Sequence, residues 1–342
     1  LIMRVTHRSS TRNYLKQMNR ALENQQKTQY RLDSGNRFEK ISDDVSSGIQ
    51  AMKVQTEYYK AKEHYSNVKT IDETLTSAET AMTEINDALA NVHTKILKAL
   101  SDTSATNRDV LAKEISSIKN QIMQVANSKY AGQFLFSGSN NYGAPFTKNE
   151  DGKLQYNGID VDEIQKRDDG TYFYNKDGME VNIPLNEKVY MDIGLGIRMT
   201  GNQVDPQTGF DISYAGPDIL GFGKDDDGIS NNIFNLLDDL EKAVKQEPFD
   251  TTATGNLDTK LVKVTDEFRT NLTDIGAKTQ FLDSMLNRLE QNANNLENKL
   301  GRLTGTDYVE ESIHKSTNDM VINSIYQMGV NVIPLSLMDF LR

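Results

Sequence analysis

Apolar and small residues recur at alternating steps of three and four along the segment from Val68 to Ala99. They are Val68, Ile71, Leu75, Ala78, Met82, Ile85, Leu89, Val92, Ile96 and Ala99. This spacing is typical of the a and d positions of a coiled coil. At ~1.5 Å per residue it predicts a helix about 48 Å long. A narrow apolar stripe stabilises a helix only when another surface covers it, so the pattern predicts a partner.

A second segment with the same spacing lies over residues 268–303. Its seam consists of Phe268, Leu272, Ile275, Thr279, Leu282, Leu286, Leu289, Ala293, Leu296, Leu300 and Leu303. We predict that the two segments are halves of one antiparallel helical bundle. Periodicity alone fits a plain bundle with no role in assembly equally well.

Short alternating segments replace the helical pattern between residues 154 and 199. They are separated by Asn157-Gly158, Asp169-Gly170 and Asp177-Gly178, which are typical of hairpin turns. The predicted fold class is therefore mainly α with an inserted β domain. N- and C-terminal segments form a long antiparallel helical bundle or coiled-coil rod, and a small antiparallel β module lies in the middle.

Capping residues predict where the helices begin and end. Gly35 ends the first helix, and the side chains of Ser42, Asp43 and Asp44 are candidate caps for a second helix that starts near Val45. Residues 107–109 predict the cap of a further helix over about 110–130. Two more helices are expected over about 229–246 and 308–327.

Composition excludes several classes of protein. The chain contains neither cysteine nor tryptophan, so a disulfide framework, a thiol nucleophile and a cysteine metal site are impossible. No apolar run approaches the ~20 residues of a membrane helix, and no cleavable signal peptide opens the chain. We expect a protein that either stays in the cell or is exported by a pathway that does not use a cleavable signal peptide.

Charge is concentrated in the middle of the chain. The net charge is −11, and residues 137–250 carry 10 basic and 22 acidic residues. The remaining arms are therefore close to neutral, which suits packing against copies of themselves. An ordinary acidic surface domain explains the charge equally well.

The first predicted helix is basic and has a thin apolar stripe. Residues 4–31 carry seven lysines and arginines against the single acid Glu23. The segment lacks the interleaved aromatic residues of a single-strand binder, and its seam glutamines are too polar for membrane insertion. The sequence thus favours a weak helix that is ordered by packing, with no nucleic-acid partner and no membrane insertion.

No catalytic, metal or cofactor constellation is evident. The four histidines are far apart in sequence, and Gly216 to Gly221 is followed by Phe222 instead of the lysine of a phosphate loop. The acids at 225–227 are adjacent, unlike the alternate spacing of a calcium loop. We expect no enzyme activity and no cofactor.

Four stretches give the chain a resemblance to the flagellin family, and within it to the branch that joins hook to filament. They are Ser34-Gly35-Asn36-Arg37 with Ser42-Asp43-Asp44, Gly132-Gln133-Phe134-Leu135-Phe136-Ser137-Gly138, Ile275-Gly276-Ala277 with Asn287-Arg288-Leu289, and Leu335-Ser336-Leu337 to Leu341-Arg342. The match covers roughly residues 3–139 and 254–342. It departs from that branch at Val45, where a proline is common, and in the extended end Met338-Asp339-Phe340.

The resemblance implies a five-part organisation. It comprises an N-terminal inner coiled-coil arm (3–44), the N-terminal half of the rod (45–137), a variable outer β-rich domain (138–253), the C-terminal half of the rod (254–305) and a C-terminal inner coiled-coil arm (306–342). The expected function is a secreted structural component of the bacterial flagellum, exported by the flagellar type III route and self-assembled at the hook–filament junction.

Partners and interface residues follow from the same resemblance. Expected partners are the first hook-associated protein on the hook side, flagellin on the filament side, other copies in a ring, and a cytoplasmic export chaperone. The predicted assembly interface comprises Leu15, Met18, Leu22, Leu32, Val321, Ile325, Met328, Val332, Leu335 and Leu337, and the predicted chaperone-binding residues are Ile313, Met320 and Ile325.

Three alternatives remain open from sequence. The protein could be a short flagellin, which forms the filament itself. It could be a needle-tip protein of a virulence type III secretion system, although such a protein should lack the features at 34–44 and 132–138. The β insert could also be a binding or hydrolytic module.

Overall fold

The computed structural model describes residues 7–101, 104–138, 143–149, 152–167, 171–176, 178–183, 189–194, 196–201, 203–205, 208–212 and 214–332. The helices of these residues are α1 (His7–Ser34), α2 (Val45–Ser101), α3 (Ala105–Ala126), α4 (Gly216–Leu220), α5 (Ile233–Lys245), α6 (Thr251–Thr304) and α7 (Tyr308–Val332).

The strands are short and lie between α3 and α4. They are β1 (Lys129–Tyr130), β2 (Gln133–Phe134), β3 (Phe146–Lys148), β4 (Leu154–Tyr156), β5 (Ile159–Asp160), β6 (Gln165–Lys166), β7 (Tyr172–Lys176), β8 (Met179–Ile183), β9 (Tyr190–Met191), β10 (Met199–Thr200), β11 (Gln203–Val204) and β12 (Phe210–Asp211).

The fold divides into two compact units. The terminal unit comprises residues 1–62 and 290–342, and the central unit comprises residues 63–289. Helices α2 and α6 each contribute residues to both units.

The first predicted seam forms the core of the central unit. All ten of its positions, from Val68 to Ala99, are at most 2% exposed. Val68, Ile71 and Leu75 pack in one cluster with residues of α6, among them Leu282 and Leu289. Further along α2, the core from Met82 to Ile96 also includes Phe268 and Ile275 of α6. The two seams thus share one bundle in this unit, as their spacing predicts.

Side-chain hydrogen bonds fix the direction of α2 against α6. The Thr279 hydroxyl donates to Glu79 at 2.9 Å, and the Arg269 guanidinium donates to Asn86 at 2.9 Å. His93 Nδ1 lies 2.8 Å from an Asp258 carboxylate oxygen. The partners fall along α6 as they rise along α2, so the two helices are antiparallel.

Helices α3 and α5 cover another side of this core. Ile115 and Ile122 of α3 lie in one cluster with Leu236 and Leu240 of α5 and with the α2 seam. The buried Lys119 ammonium crosses from α3 to α5, where it donates to Asp238 at 2.5 Å and to Glu241 at 2.7 Å. The acidic side chains therefore neutralise a lysine that the apolar surroundings would otherwise penalise.

The predicted β module consists of small antiparallel sheets. The described strands pair as β1-β2, β3-β4-β5, β6-β7-β8, β12-β9 and β10-β11. Asn157 and Gly158 have positive φ angles of 52° and 84° between β4 and β5, which the Asn-Gly pair adopts at little cost. The predicted fold class, mainly α with an inserted antiparallel β module, is confirmed.

Several predicted boundaries were wrong by a few residues. Helix α3 begins at Ala105, so residues 107–109 lie inside its first turn, and the Arg108 amide already donates to the Ser104 carbonyl at 3.2 Å. Helix α5 begins at Ile233 because the side chain of Asn232 caps it. Helix α7 continues to Val332, beyond the predicted end near residue 327.

Candidate assembly surface

Helices α1 and α7 pair antiparallel in the terminal unit through polar side chains. The Gln25 amide donates to Asp319 at 2.7 Å, and the Asn318 amide donates to the Thr28 hydroxyl at 3.0 Å. Arg31 donates to the Glu311 carboxylate at 2.7 Å. Partners rise along α1 as they fall along α7, which brings the two sequence-distant helices side by side.

The chain segments that flank this pair are joined by backbone hydrogen bonds. The Arg37 amide donates to the Thr304 carbonyl at 2.7 Å, and the Thr306 amide donates to the Gly35 carbonyl at 2.9 Å. Gly35 makes this turn possible, because its φ of +69° favours glycine and a Cβ there would lie 2.7 Å from the Tyr308 hydroxyl oxygen.

Aspartates cap the helices that leave this joint. The Asp307 carboxylate accepts from the Val309 amide at 2.9 Å at the start of α7. Asp44 accepts from the Ser47 amide at 3.0 Å at the start of α2 and pairs with Arg37. Hydrogen bonds from the Ser47 amide and hydroxyl, helped by the Arg37 guanidinium, hold the pKa of Asp44 below its ordinary value. Both helix starts are therefore specified locally.

An open groove of about 550 Å³ lies between α1 and α7. The α7 wall is largely apolar and includes Val321, Ile325 and Met328, whereas Gln17 and Arg20 of α1 line the other wall. The mixed lining suits an amphipathic partner helix better than a small apolar ligand.

The two helices contribute charge unequally at this end of the pair. Residues 9–22 of α1 include Arg12, Lys16 and Arg20 and no acid, while residues 320–329 of α7 contain no charged residue. A positive charge density therefore borders the apolar wall, and it favours a partner with acidic groups.

The comparison with protein families identifies the N-terminal part of the chain. Residues 5–141 match the model of the bacterial flagellin N-terminal helical region. This segment is similar to that flagellin region, and the match covers less than half of the chain. The flagellin-type segment includes α1, α2 and α3, and thus supplies one partner of each long-range helix pair described above.

Solved structures match about three quarters of the chain at low sequence identity. A Vibrio parahaemolyticus protein assigned as a flagellar hook-associated protein is 19% identical with a TM-score of 0.56, and the match covers 77% of this chain and 100% of that one. Bacillus cereus FlgL is 16% identical with a TM-score of 0.46, covering 74% and 99%. The flagellar junction protein FlgL of Legionella pneumophila is 15% identical with a TM-score of 0.39, covering 71% and 99%. No curated protein matches the sequence.

The described interface residues of the flagellin-type helix α1 differ in burial. Leu15 is exposed, whereas Met18, Leu22 and Leu32 are half-buried. On α7, Val321 and Met328 are exposed and Ile325 is half-buried, and all three line the groove. The structure therefore brings these three α7 residues together at one surface.

The remaining predicted site residues lie elsewhere or outside the description. Val332 is the last residue of α7, and its side chain is outside the description, as are Leu335 and Leu337. Among the predicted chaperone-binding residues, Ile313 and Met320 are each 62% exposed, and Met320 lines the groove together with Ile325.

One exposed apolar row was not assigned a role from sequence. It lies on α2 in the terminal unit and comprises Val45, Ile49, Met52 and Tyr59, each 54–60% exposed. Together with Thr56 it repeats the alternation of three and four, but on a different face of α2 from the buried seam, and this repeat was the signal that could have revealed it. Ala51 and Val54, on the other side of the same helix, are buried.

The described residues also bear on the other functions considered. Among them, no group of three histidines or acidic side chains is placed to hold a metal ion. No helix that the structure describes has the length and hydropathy needed to cross a bilayer.

Proposed function

We propose that the protein is a structural component of the bacterial flagellum that links the hook to the filament. The observation that carries this proposal is the antiparallel pairing of α1 with α7, which leaves an apolar wall open beside a flagellin-type helix. Side chains that are apolar and exposed in one copy are stabilised when other copies cover them. The work of the protein is then helix packing and not catalysis.

The proposed partners extend those of the resemblance. Copies pack in a ring through α1 and α7, with the first hook-associated protein on one side and flagellin on the other. The chain leaves the cell through the flagellar type III export route. The absence of cysteine suits that route, because no disulfide can lock the chain before transit. The five-part division, with inner arms at 3–44 and 306–342, belongs to this proposal.

A cytoplasmic chaperone is proposed to bind α7 before export. Ile313 and Met320 are exposed apolar side chains on this helix, and Ile325 lines its groove wall. An exposed apolar helix face is the kind of surface that a helical partner covers. We assign these three residues to that contact.

A deletion strain of the source bacterium tests the function. Hooks without filaments, together with monomeric flagellin in the medium, support a junction role, and normal hooks with normal filaments overturn it. Hooks and junctions that lack only the filament subunit would instead favour a short flagellin. Immunogold labelling of the complemented strain distinguishes these two functions. A junction protein is labelled in one band between hook and filament, whereas a filament subunit is labelled along the whole filament.

A matched pair of variants tests the surface. Met328→Asp places a charge on the groove wall and should prevent rescue of the deletion strain. Met179→Asp changes an exposed methionine on β8, which is 69% exposed, and should rescue. Equal rescue by both variants would contradict the assigned surface, while circular dichroism checks that both remain helical. Removal of residues 312–342 should likewise prevent assembly and leave the bundle of the central unit helical.

A further inference from the structure

We infer that the exposed row on α2 is the docking site for the exposed row on α7 of a second copy, with the two helices antiparallel. This inference rests on the proposed function and names a contact between neighbouring copies. The α2 row comprises Val45, Ile49, Met52, Thr56 and Tyr59, and the α7 row comprises Val309, Ile313, Ser316 and Met320.

Each row is an unpaired half of a coiled-coil seam. The α2 positions follow steps of four, three, four and three, and the α7 positions follow steps of four, three and four. Val309, Ile313 and Met320 are 62–72% exposed, so the described part of the chain leaves most of their surface uncovered. Side chains at a and d positions stabilise a helix only when they interlock with a facing helix. Each row therefore needs a facing helix to cover it.

The two rows match in length. The α2 row spans ~21 Å, and it ends where Glu63 takes the next seam position. The α7 row spans ~17 Å, and it ends where Asn323 takes the next position. Two rows of similar length and spacing can therefore interlock over nearly their whole extent.

Each row lies on the free face of its helix. On α7, Glu311 and Asn318 contact α1 and point away from the row by about half a turn, and Asp319, which accepts from Gln25, points away by about a quarter turn. On α2, Ala51 and Val54 are buried on the side opposite the row. Met320 also lines the α1–α7 groove, so the α7 row reaches the edge of that groove and is open to a second copy on the side away from Glu311 and Asn318.

Flanking charges select the partner and its direction. The α2 row is bordered by Lys53 and Lys60, both exposed, and the α7 row is bordered by Glu310, whose side chain is 69% exposed. Antiparallel docking brings Glu310 beside Lys60, whereas parallel docking brings it beside Ser46. Charges beside a seam set partner choice and orientation, so the antiparallel arrangement is favoured.

The contact joins two different surfaces, so it propagates. A surface on one copy that binds a different surface on the next copy generates a ring when the rotation closes, or a helical array when it does not. The α7 row shares Ile313 and Met320 with the proposed chaperone surface. A bound chaperone and a neighbouring copy would therefore exclude each other.

Disulfide trapping in the full-length chain tests this contact directly. The chain has no cysteine, so each introduced thiol is unique. Ile49→Cys protein is mixed with Met320→Cys protein and oxidised, and we expect the mixed dimer to form several-fold faster than either homodimer. Ile49→Cys mixed with Ile313→Cys reports parallel docking, and Ile49→Cys mixed with Met179→Cys reports random collision.

The outcomes separate this contact from its rivals. Predominant homodimers of Ile49→Cys would overturn the inference in favour of a two-fold contact, and predominance of the Ile313→Cys mixture would overturn the antiparallel direction. Equal rates for all mixtures would overturn the contact itself. We also expect Lys60→Glu to slow the trapping of the Ile49→Cys protein, and Glu310→Lys in the Met320→Cys partner to restore it. Failure here, with normal rescue of the deletion strain by the wild-type chain, would leave the proposed function standing.

Discussion

Arg31 on α1 donates a hydrogen bond to the carboxylate of Glu311 on α7, and 280 residues separate the two partners in sequence. The other carboxylate oxygen of Glu311 is buried and has no hydrogen-bond partner among the described residues. Arg31 is therefore the counter-charge that makes this burial tolerable.

Replacing Arg31 should loosen the α1–α7 pair. In Arg31→Ala the buried Glu311 carboxylate loses its hydrogen-bond donor, and we expect the α1–α7 pair to lose about 1–3 kcal/mol of stability. The loss should fall toward the lower end of this range, because the Arg31 side chain is one-third exposed and solvent screens its charge. Hydrogen exchange of the α1 and α7 amides measures the loss. Lys27→Ala removes an exposed ion pair with Glu23 on the same helix and should change exchange little. Equal protection in both variants would contradict a structural role for Arg31.

Gly35 should tolerate no side chain. Gly35→Ala forces an L-residue to a φ of +69°, which costs about 1–2 kcal/mol, and it also places a Cβ against Tyr308. Urea-induced unfolding measures the loss, and adding Tyr308→Phe should restore only the part due to the contact.

The matched control for Gly35 is Gly255. This residue lies in α6, where an added Cβ meets nothing within 4 Å, so Gly255→Ala should stabilise the helix by up to ~1 kcal/mol. If both substitutions shifted stability in the same direction, the special role of Gly35 would be wrong.

Two isoleucines of α2 should respond very differently to the same substitution. Ile85 is 1% exposed in the shared bundle, and Ile49 is 60% exposed. Ile85→Ala should cost about 2–5 kcal/mol because it leaves a cavity, whereas Ile49→Ala should change stability by less than ~0.5 kcal/mol. Chemical denaturation of the isolated chain measures both. A large loss for Ile49→Ala would mean that its row is already covered within one copy.

The Lys119 cluster should make stability depend on pH. Burial alone would raise the pKa of Asp238, but hydrogen bonds from Lys119 and Lys242 outweigh it and hold that pKa below its ordinary value. A carboxyl with a lowered folded pKa stabilises the fold above its unfolded pKa of about 4, and that stability is lost as pH falls through the folded value.

Lys119→Met tests this linkage. We expect a loss of about 1–3 kcal/mol at pH 7, because the two carboxylates lose their buried counter-charge. The difference from wild type should shrink as pH falls through the lowered folded pKa of Asp238, because that carboxylate then becomes protonated. Lys242→Met, at a side chain 70% exposed, should cost less. Urea unfolding of wild type and variant at neutral and at acidic pH measures this difference in unfolding free energy. A difference that does not change with pH would contradict the linkage.

The sequence predicts the bundle better than it predicts the surfaces around it. The seam from Val68 to Ala99 was correct at every position, because a period near 3.5 residues leaves no other face to bury. The turn at Gly35 was predicted equally well, since few residues other than glycine adopt a positive φ such as its 69°. The start of α3 could not be predicted as well, because a polar residue such as Asp109 is equally common at a helix cap and in the first turn of a helix.

The packing of α5 and the free α2 row could not be predicted from local pattern. Helix α5 is visible in sequence, but its contact with Lys119 of α3 depends on residues more than 100 positions apart. Periodicity reports that Ile49 and Ile85 both lie on apolar rows, but it does not report which row the chain itself covers. The assembly residues of α1 and α7 stay predictions until the variants above are measured.

The backbone joint between residues 35–37 and 304–306 sets an order of events in time. During synthesis α1 is complete about 270 residues before α7 exists, a delay of roughly 15–55 seconds at ~5–20 residues per second. A lone helix with so thin an apolar stripe is marginal in water. The terminal unit can therefore form only after α7 has been synthesised, and until then α1 lacks the helix that it pairs with.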